Sequence, residues 1–167
     1  ACLRTLAQSY FDVGDILTRA NRVLVADTVD FHFVTLAMIR LDPKARSLVY
    51  ASCGQRGYLI HGGDGVTVLD STSLPLGVRP EMTVPTAPPL ALESGQIVTF
   101  FTDGVFEAES PGRVRFGSER ALRLIRSERD KPAAKIIDIL HEEILGFMRN
   151  RPQHDDITAV IIKVVDS

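Results

Sequence analysis

The spacing of apolar residues along this chain predicts helices in some segments and strands in others. Helical spacing marks residues 1–10 and 13–27, with Asp12 placed to cap the second helix. A third helix is predicted from Ser118 as its cap, and a fourth over 132–149. The apolar stripe of the second helix consists of Ile16, Leu17, Ala20, Val23 and Leu24.

Runs rich in Val, Ile, Leu and Phe predict six strands, and turn residues separate most of them. These strands cover residues 33–41, 48–54, 57–62, 66–69, 96–101 and 157–165. The first is apolar on both faces, which is typical of a central strand. Hairpin connections dominate, so we expect an α+β fold in which two antiparallel sheets form a sandwich flanked by helices.

Composition and charge limit the classes of function. The chain has 167 residues, of which 45% are hydrophobic and 24% charged, and its net charge is −2. These values indicate a globular domain and give no sign of a nucleic-acid or membrane-surface partner. No apolar run approaches the roughly 20 residues of a membrane span. Two cysteines without framework spacing favour a reducing, cytoplasmic location.

Acidic residues stand at the ends of two predicted strands. Asp103 and Gly104 follow strand 96–101, and Asp155 and Asp156 precede the last strand. If the two strands are antiparallel neighbours, Asp103 and Asp155 meet at one edge, with carboxyl oxygens roughly 3–6 Å apart. Two such carboxylates repel unless a cation lies between them, and oxygen ligands favour Mg²⁺ or Mn²⁺. Two ordinary aspartate turns are the alternative at this point.

Five segments appear in an order that narrows this choice. They are "FVTLAMIRLDPKARSLVYASCGQRGYLI", "LPLGV", "GQIVTFFTDGVFEAES", "FGSER" and "HDDITAVIIKV", and together they cover nearly the whole chain. In this order the chain resembles the metal-dependent serine/threonine phosphatases of the PP2C superfamily, in the bacterial branch typified by SpoIIE and RsbU. Each segment alone is a weak signal, whereas five in sequence are specific.

The resemblance implies roles for individual residues. Asp103 and Asp155 would bind the catalytic Mn²⁺ or Mg²⁺ ions, two in the intact family site, with Gly104 and Asp156 in supporting places. The implied mechanism uses a metal-activated water, so no catalytic nucleophile is expected beyond the metal ligands. Cys53 is accordingly interpreted as a core residue and His154 as a turn residue.

The chain departs from the family pattern in two places. Ser52-Cys53-Gly54-Gln55 stands where the family usually has Asn-Ala-Gly-His. The upstream Gly-Asp-x-x-Gly motif, whose aspartate bridges both metals, is absent from the sequence. We therefore expect residues 1–167 to form a single phosphatase domain that lacks its first strands, and to be inactive or weakly active as given. A degenerate regulatory module that binds a partner without hydrolysis is the alternative.

The resemblance also implies partners. The substrate would be a phosphorylated protein, an anti-sigma factor antagonist in a partner-switching pathway, with a sensor or receiver domain upstream. The amphipathic stripe of residues 13–27 must dock on another surface, and part of that surface would be the missing N-terminal segment. We therefore expect this helix to be mobile or displaced, and its free apolar stripe predicts a homodimer through residues 1–27.

Overall fold

The computed structural model describes residues 2–27, 33–149, 151–153 and 155–166. The elements in these residues are α1 (Cys2–Ser9), α2 (Val13–Asp27), β1 (Leu36–Asp42), β2 (Ser47–Cys53), β3 (Gly57–Ile60), β4 (Val66–Leu69), β5 (Leu90–Ala91), β6 (Ile97–Phe101), α3 (Asp103–Glu107), α4 (Ser118–Ser127), α5 (Ala133–Met148) and β7 (Ala159–Lys163). The strands form two antiparallel sheets, which confirms the predicted α+β class.

The chain divides into two compact units. The first contains residues 1–56 and 70–93, and the second contains residues 57–69 and 94–167. The first unit holds the three-stranded sheet β1-β2-β5 together with α1 and α2. The second holds the four-stranded sheet β4-β3-β6-β7 together with α3, α4 and α5.

In the first unit, α2 packs against β1 and β2. Buried polar groups tie it to residues 75–89, which we call the proline-rich segment. The Asn21 amide donates to the Arg79 carbonyl at 2.8 Å and accepts from the Gly77 N–H at 2.8 Å. The Thr18 hydroxyl accepts from the Val84 N–H at 2.9 Å. Because each of these polar groups has a partner, α2 can be buried without an energetic penalty for unpaired donors or acceptors.

This packing gives the α2 stripe most of the docking surface that it was expected to lack in part. Ile16 and Leu17 are fully buried, and only the C-terminal part of the stripe, at Val23, is exposed. The reason is that residues 76–84 supply the partner surface, from a segment far away in the sequence. The homodimer through residues 1–27 stays a prediction, but in α2 only the C-terminal part of the stripe is left free for it. In α1, by contrast, no described residue is buried.

The second unit positions the acidic residues, because its core fixes β6 and β7. All five residues of β6 are buried. β6 pairs with β3 on one side and with β7 on the other, both antiparallel. Residues of α4 and α5, including Ile125, Ile136 and Leu140, pack with Phe101 in one hydrophobic cluster. The end of β6 is therefore held on a rigid support.

Three local predictions differ from the structure. β1 lies at an edge of its three-stranded sheet within the described residues rather than at the centre. Ser118 is the first residue of α4 and not its cap, because Gly117 occupies that position with φ 78°. Residues 103–107 form the short helix α3, where the Asp-Gly pair suggested a turn. In the part of the chain that the structure describes, no helix is long and apolar enough to cross a membrane.

Candidate metal site

The predicted meeting of two strand ends is confirmed in the second unit. β6 and β7 are antiparallel neighbours, with Phe101 opposite Ala159. One residue further along, the Thr102 N–H donates to the Thr158 carbonyl at 3.0 Å. The segment that carries Asp103 therefore leaves the sheet beside the segment that delivers Asp155.

Thr102 joins these two segments through its side chain. Its carbonyl accepts from the Val105 N–H in the first turn of α3, and so turns away from the sheet ladder. The Thr102 hydroxyl takes over that position, accepting from the Thr158 N–H at 2.9 Å and donating to the Asp156 carbonyl at 2.9 Å. The threonine thus lets a strand become a helix without leaving the neighbouring strand unpaired.

Gly104 permits the closest approach between the two segments. A Cβ atom at this position would lie 2.4 Å from the Asp156 carbonyl oxygen and 2.9 Å from its carbon. Real Cβ contacts are not this short, so any side chain at position 104 would push the two backbones apart. Glycine is required here by the tight packing of α3 on residues 155 and 156.

The backbone around Asp155 is held by local hydrogen bonds. The Asp156 N–H donates to Asp155 Oδ1 at 2.8 Å, which orients the Asp155 carboxylate. The Gln153 amide donates to the Asp155 carbonyl at 2.7 Å. Asp156 supports this edge through its main chain, because its N–H donates to Asp155 Oδ1 and its carbonyl accepts from the Thr102 hydroxyl.

The aspartate side chains at this edge reach solvent. Asp103, Asp155 and Asp156 are exposed. Among the described residues, no lysine or arginine forms an ion pair with any of the three. The predicted separation of the carboxyl oxygens of Asp103 and Asp155 stays a prediction. What the structure establishes is that their two segments are in direct contact.

The carboxylates of Asp103 and Asp155 are the kind of ligand that a hard divalent cation prefers, but two ligands are too few to hold such an ion tightly. The donors are carboxylate oxygens on a supported edge, which Mg²⁺ and Mn²⁺ prefer. Within the described ranges, no group of three or more His, Cys, Asp or Glu could hold a metal ion. Asp103 and Asp155 thus account for two ligands, and a tightly held ion needs at least one more.

Two glutamates slightly further from the edge, unlike the aspartates, form ion pairs with arginines. Glu107 forms an ion pair with Arg115 at 3.2 Å, and Glu109 with Arg151 at 3.3 Å. A cavity of about 290 Å³ opens between these pairs and the strand edge, and its wall includes Gly104 and Asp155. Apart from Gly104 and Asp155, the residues that line this cavity were not predicted as site residues from the sequence.

Cys53 and His61 lie in surroundings that indicate structural roles. Cys53 is fully buried, and burial raises the pKa of its thiol to about 11, so it stays protonated at neutral pH. This agrees with the interpretation of Cys53 as a core residue. His61 is hydrogen-bonded to Thr67 at 2.8 Å. His32 and His154 lie outside the described residues.

Sequence reasoning missed Thr102 and the helix that follows it. The available signal was a β-branched hydroxyl residue immediately after a buried strand and before Asp-Gly. A hydroxyl at that position can replace a ladder carbonyl, but this role becomes visible only when the neighbouring strand is known.

Solved structures identify the fold. The SiaA PP2C domain of Pseudomonas aeruginosa superposes with a TM-score of 0.85 at 17% identity, covering 97% of this chain and 65% of that chain. For the SpoIIE phosphatase domain with a regulatory fragment from Bacillus subtilis, the TM-score is 0.78 at 24% identity, covering 97% and 47%. RsbX in complex with magnesium gives a TM-score of 0.63 at 19% identity, covering 95% and 69%. The protein therefore has a PP2C-type fold.

The sequence comparison narrows this class to one family. The family model described as "Stage II sporulation protein E (SpoIIE)" matches residues 1–165, so the chain belongs to the SpoIIE family. Protein IcfG of Synechocystis sp. is 29% identical over 131 residues, which cover 78% of this chain. The chain spans about a fifth of the length of the curated relatives it matches.

Proposed function

We propose that the chain carries the metal-binding edge of a metal-dependent phosphatase that removes phosphate from serine or threonine of a protein. The observation that supports this most strongly is the direct contact between the segments of Asp103 and Asp155. Their exposed carboxylates have no cationic partner among the described residues. Placing like charges side by side is unfavourable unless a cation offsets them.

Asp103 and Asp155 would hold divalent Mn²⁺ or Mg²⁺, and Gly104 and Thr102 would fix the distance between them. The chemistry such ions supply is activation of water and neutralisation of phosphate charge. The protein's own contribution is geometric, because the close packing at Gly104 and the hydroxyl of Thr102 prevent the two segments from moving apart. The structural similarity to RsbX, which was solved with magnesium, supports the choice of ion.

We further propose that the third carboxylate of a two-ion site comes from a Gly-Asp-x-x-Gly motif upstream of residue 1. Residues 1–167 would then be part of a single phosphatase domain. The support is the count of ligands, since the described residues supply two carboxylates where two ions need more.

Membership in this family supports a proposal for the substrate class. We infer a phosphorylated protein of a bacterial partner-switching pathway, an anti-sigma factor antagonist, and a sensor or receiver domain that regulates the phosphatase from upstream. Membership in the SpoIIE family supports this pathway, and the reducing environment suggested by two unpaired thiols supports a cytoplasmic site of action.

The test is phosphate release from p-nitrophenyl phosphate and from a phosphoserine peptide with millimolar Mn²⁺. It compares the chain as given with a version extended upstream in its native sequence. We expect the extended protein to be far more active. In it, Asp103→Asn and Asp155→Asn should each lower the rate by more than about a hundredfold, beyond the roughly 10–100-fold effect of indirect metal-site changes.

The matched control is Asp138→Asn, which removes one negative charge from an exposed position of α5. Its rate should equal that of the unsubstituted protein. Robust Mn²⁺-dependent turnover by the chain as given would contradict the need for an upstream ligand. An extended protein that carries the upstream motif and binds Mn²⁺, yet hydrolyses neither substrate, would contradict the phosphatase assignment.

A further inference from the structure

The cavity beside the strand edge has an apolar floor. Ala108 and Met148 form part of this floor and are 7% and 5% exposed, and both belong to the hydrophobic cluster of the second unit. Ile157 completes the floor and packs against the same cluster. Because these side chains are held by the core, the floor is present before any ligand binds.

Among the described residues, the wall of the cavity also contains four that are charged. Glu107, Glu109 and Arg115 form ion pairs, whereas Asp155 belongs to the candidate metal site. The ion pair between Glu107 and Arg115 has a side-chain distance of 3.2 Å, and that between Glu109 and Arg151 is 3.3 Å. An anionic guest would have to break one of these pairs beside the Asp155 carboxylate, and a cationic guest would compete with the proposed metal ion for Asp155; either would also lose hydration above apolar carbon. An uncharged apolar group incurs none of these costs.

The cavity is continuous with the candidate metal site, because Gly104 and Asp155 form part of its wall. A phosphoserine bound at that edge brings its own neighbours with it. An extended peptide advances about 3.3–3.6 Å per residue, so a side chain one to three residues away reaches the cavity. Its volume, about 290 Å³, lies just below the roughly 300–1,000 Å³ of small-molecule sites and suits a single side chain.

We propose that this cavity is a specificity pocket for an apolar side chain of the phosphoprotein substrate, one to three residues from the phosphoserine. The proposal rests on the proposed phosphatase function and deepens it, because it states what the substrate must carry beside the phosphate. Specificity then comes from the pocket floor, whereas the carboxylate edge acts on the phosphate.

The test measures binding at Met148 directly. The chain has three methionines, Met38, Met82 and Met148, so ¹³C-methyl labelling of methionine gives three signals. Each signal is assigned by replacing one methionine at a time and observing which signal disappears. The probes are serine-rich peptides in which a non-hydrolysable phosphonate replaces phosphoserine. Each peptide carries one phenylalanine, whose position varies from three residues before the phosphonate to three residues after it. Binding is measured with Mg²⁺ present. We expect one position to shift the Met148 methyl signal and to tighten binding about tenfold.

Replacing that phenylalanine by aspartate or lysine should abolish both the shift and the gain in affinity. Tighter binding of a charged peptide would overturn the proposal. So would a scan in which no position shifts Met148 more than Met38 and Met82.

Variants in the floor provide the second measurement. Ala108→Leu fills the cavity and Ile157→Ser makes its floor polar, so each should reduce the tenfold preference for the apolar peptide to about one. The matched control, Ala134→Leu, adds the same atoms at an exposed position of α5 and should keep the preference. A preference that survives both floor variants contradicts the pocket.

The outcomes separate this proposal from the proposed function. Phosphate release without any apolar preference would overturn the pocket alone. A phenylalanine-dependent shift of Met148 in a protein that hydrolyses no phosphate monoester would overturn the phosphatase function and leave the cavity as a peptide-binding site.

Discussion

Two aspartates stand at the beginning of helices in this protein, and their surroundings differ. Asp12 precedes α2, and its carboxylate accepts from the Asp15 N–H at 2.8 Å and from the Thr86 hydroxyl at 2.8 Å. Asp103 is the first residue of α3, and no side-chain capping bond forms at that helix. Both side chains are exposed, so exposure alone does not distinguish them.

The difference separates a structural carboxylate from a functional candidate. The donors around Asp12 come from its own helix and from a distant loop, so its charge is used within the fold. The charge of Asp103 has no cationic partner among the described residues, while a second carboxylate is delivered to the same edge. A fold tolerates such an arrangement at low cost only where solvent or a bound cation offsets it.

Among changes that keep both carboxylates, the largest expected effect comes from widening the edge itself. Gly104→Ala places a Cβ atom against the Asp156 carbonyl, so the segments of Asp103 and Asp155 must separate. We expect Mn²⁺ affinity to fall about 10–100-fold, as for other changes that move metal ligands indirectly. Isothermal titration calorimetry measures this affinity.

The control for that experiment is Gly146→Ala. A Cβ atom at position 146 meets nothing within 4 Å, and the residue lies in α5. It should keep the Mn²⁺ affinity and raise the free energy of unfolding by roughly 0.5–1 kcal/mol, because alanine favours a helix. If the two variants bind Mn²⁺ equally well, the close approach at Gly104 does not position ligands.

Removing the other aspartate should affect stability instead. Asp12→Ala deletes the cap of α2 and leaves the Asp15 N–H without its side-chain acceptor. We expect the free energy of unfolding to fall by about 0.5–2 kcal/mol, measured by urea denaturation. Asp12→Ser, which restores a capping oxygen, should recover most of this loss of stability. If Asp12→Ala also lost metal binding, Asp12 and Asp103 would not differ in function as we infer.

The Asp12 cap should also depend on pH. Burial raises the pKa of Asp12, but hydrogen bonds from Asp15, Thr86 and Gly14 outweigh it, and the pKa lies below the ordinary value of 3.8. A lowered folded-state pKa means that the cap stabilises the protein above about pH 4 and is lost as pH falls through the folded pKa. The difference in unfolding free energy between the protein and Asp12→Ala should therefore shrink below pH 4, and a constant difference would contradict it.

The smallest effect is expected for Asp103→Asn without metal. The substitution removes a favourable charge at the start of α3 but also reduces repulsion with Asp155. These contributions oppose each other, so the free energy of unfolding should change by no more than about 0.5 kcal/mol. A thermal melt in EDTA checks this, and a loss comparable to that of Asp12→Ala would show that Asp103 is a structural residue.

The sequence predicts most of the elements of this fold because their patterns are local. β2, β4 and α5 lie within one or two residues of their predicted bounds, and Asp12 caps α2 as expected. The antiparallel pairing of β6 with β7 is the condition under which Asp103 and Asp155 were expected from the sequence to meet, and the structure fulfils it.

What the sequence did not predict depends on contacts between distant residues. Asn21 and Gly77 are 56 positions apart, so the docking of α2 on the proline-rich segment leaves no local pattern. The five-residue helix α3 is too short to show periodicity, and its Asp-Gly start resembles a turn. The cavity beside Asp155 is lined by residues from two distant regions, 104–115 and 148–157, so the sequence alone does not bring them together.

The central claim is that Asp103 and Asp155 share a divalent cation, and Mn²⁺ binding by the chain tests it most directly. An electron paramagnetic resonance titration measures free Mn²⁺ for the protein and for Asp103→Asn, Asp155→Asn and Asp12→Asn. We expect weak binding by the unsubstituted chain, a loss of at least about tenfold in each of the first two variants, and unchanged binding in the third. Equal Mn²⁺ binding by all four proteins would contradict the shared site.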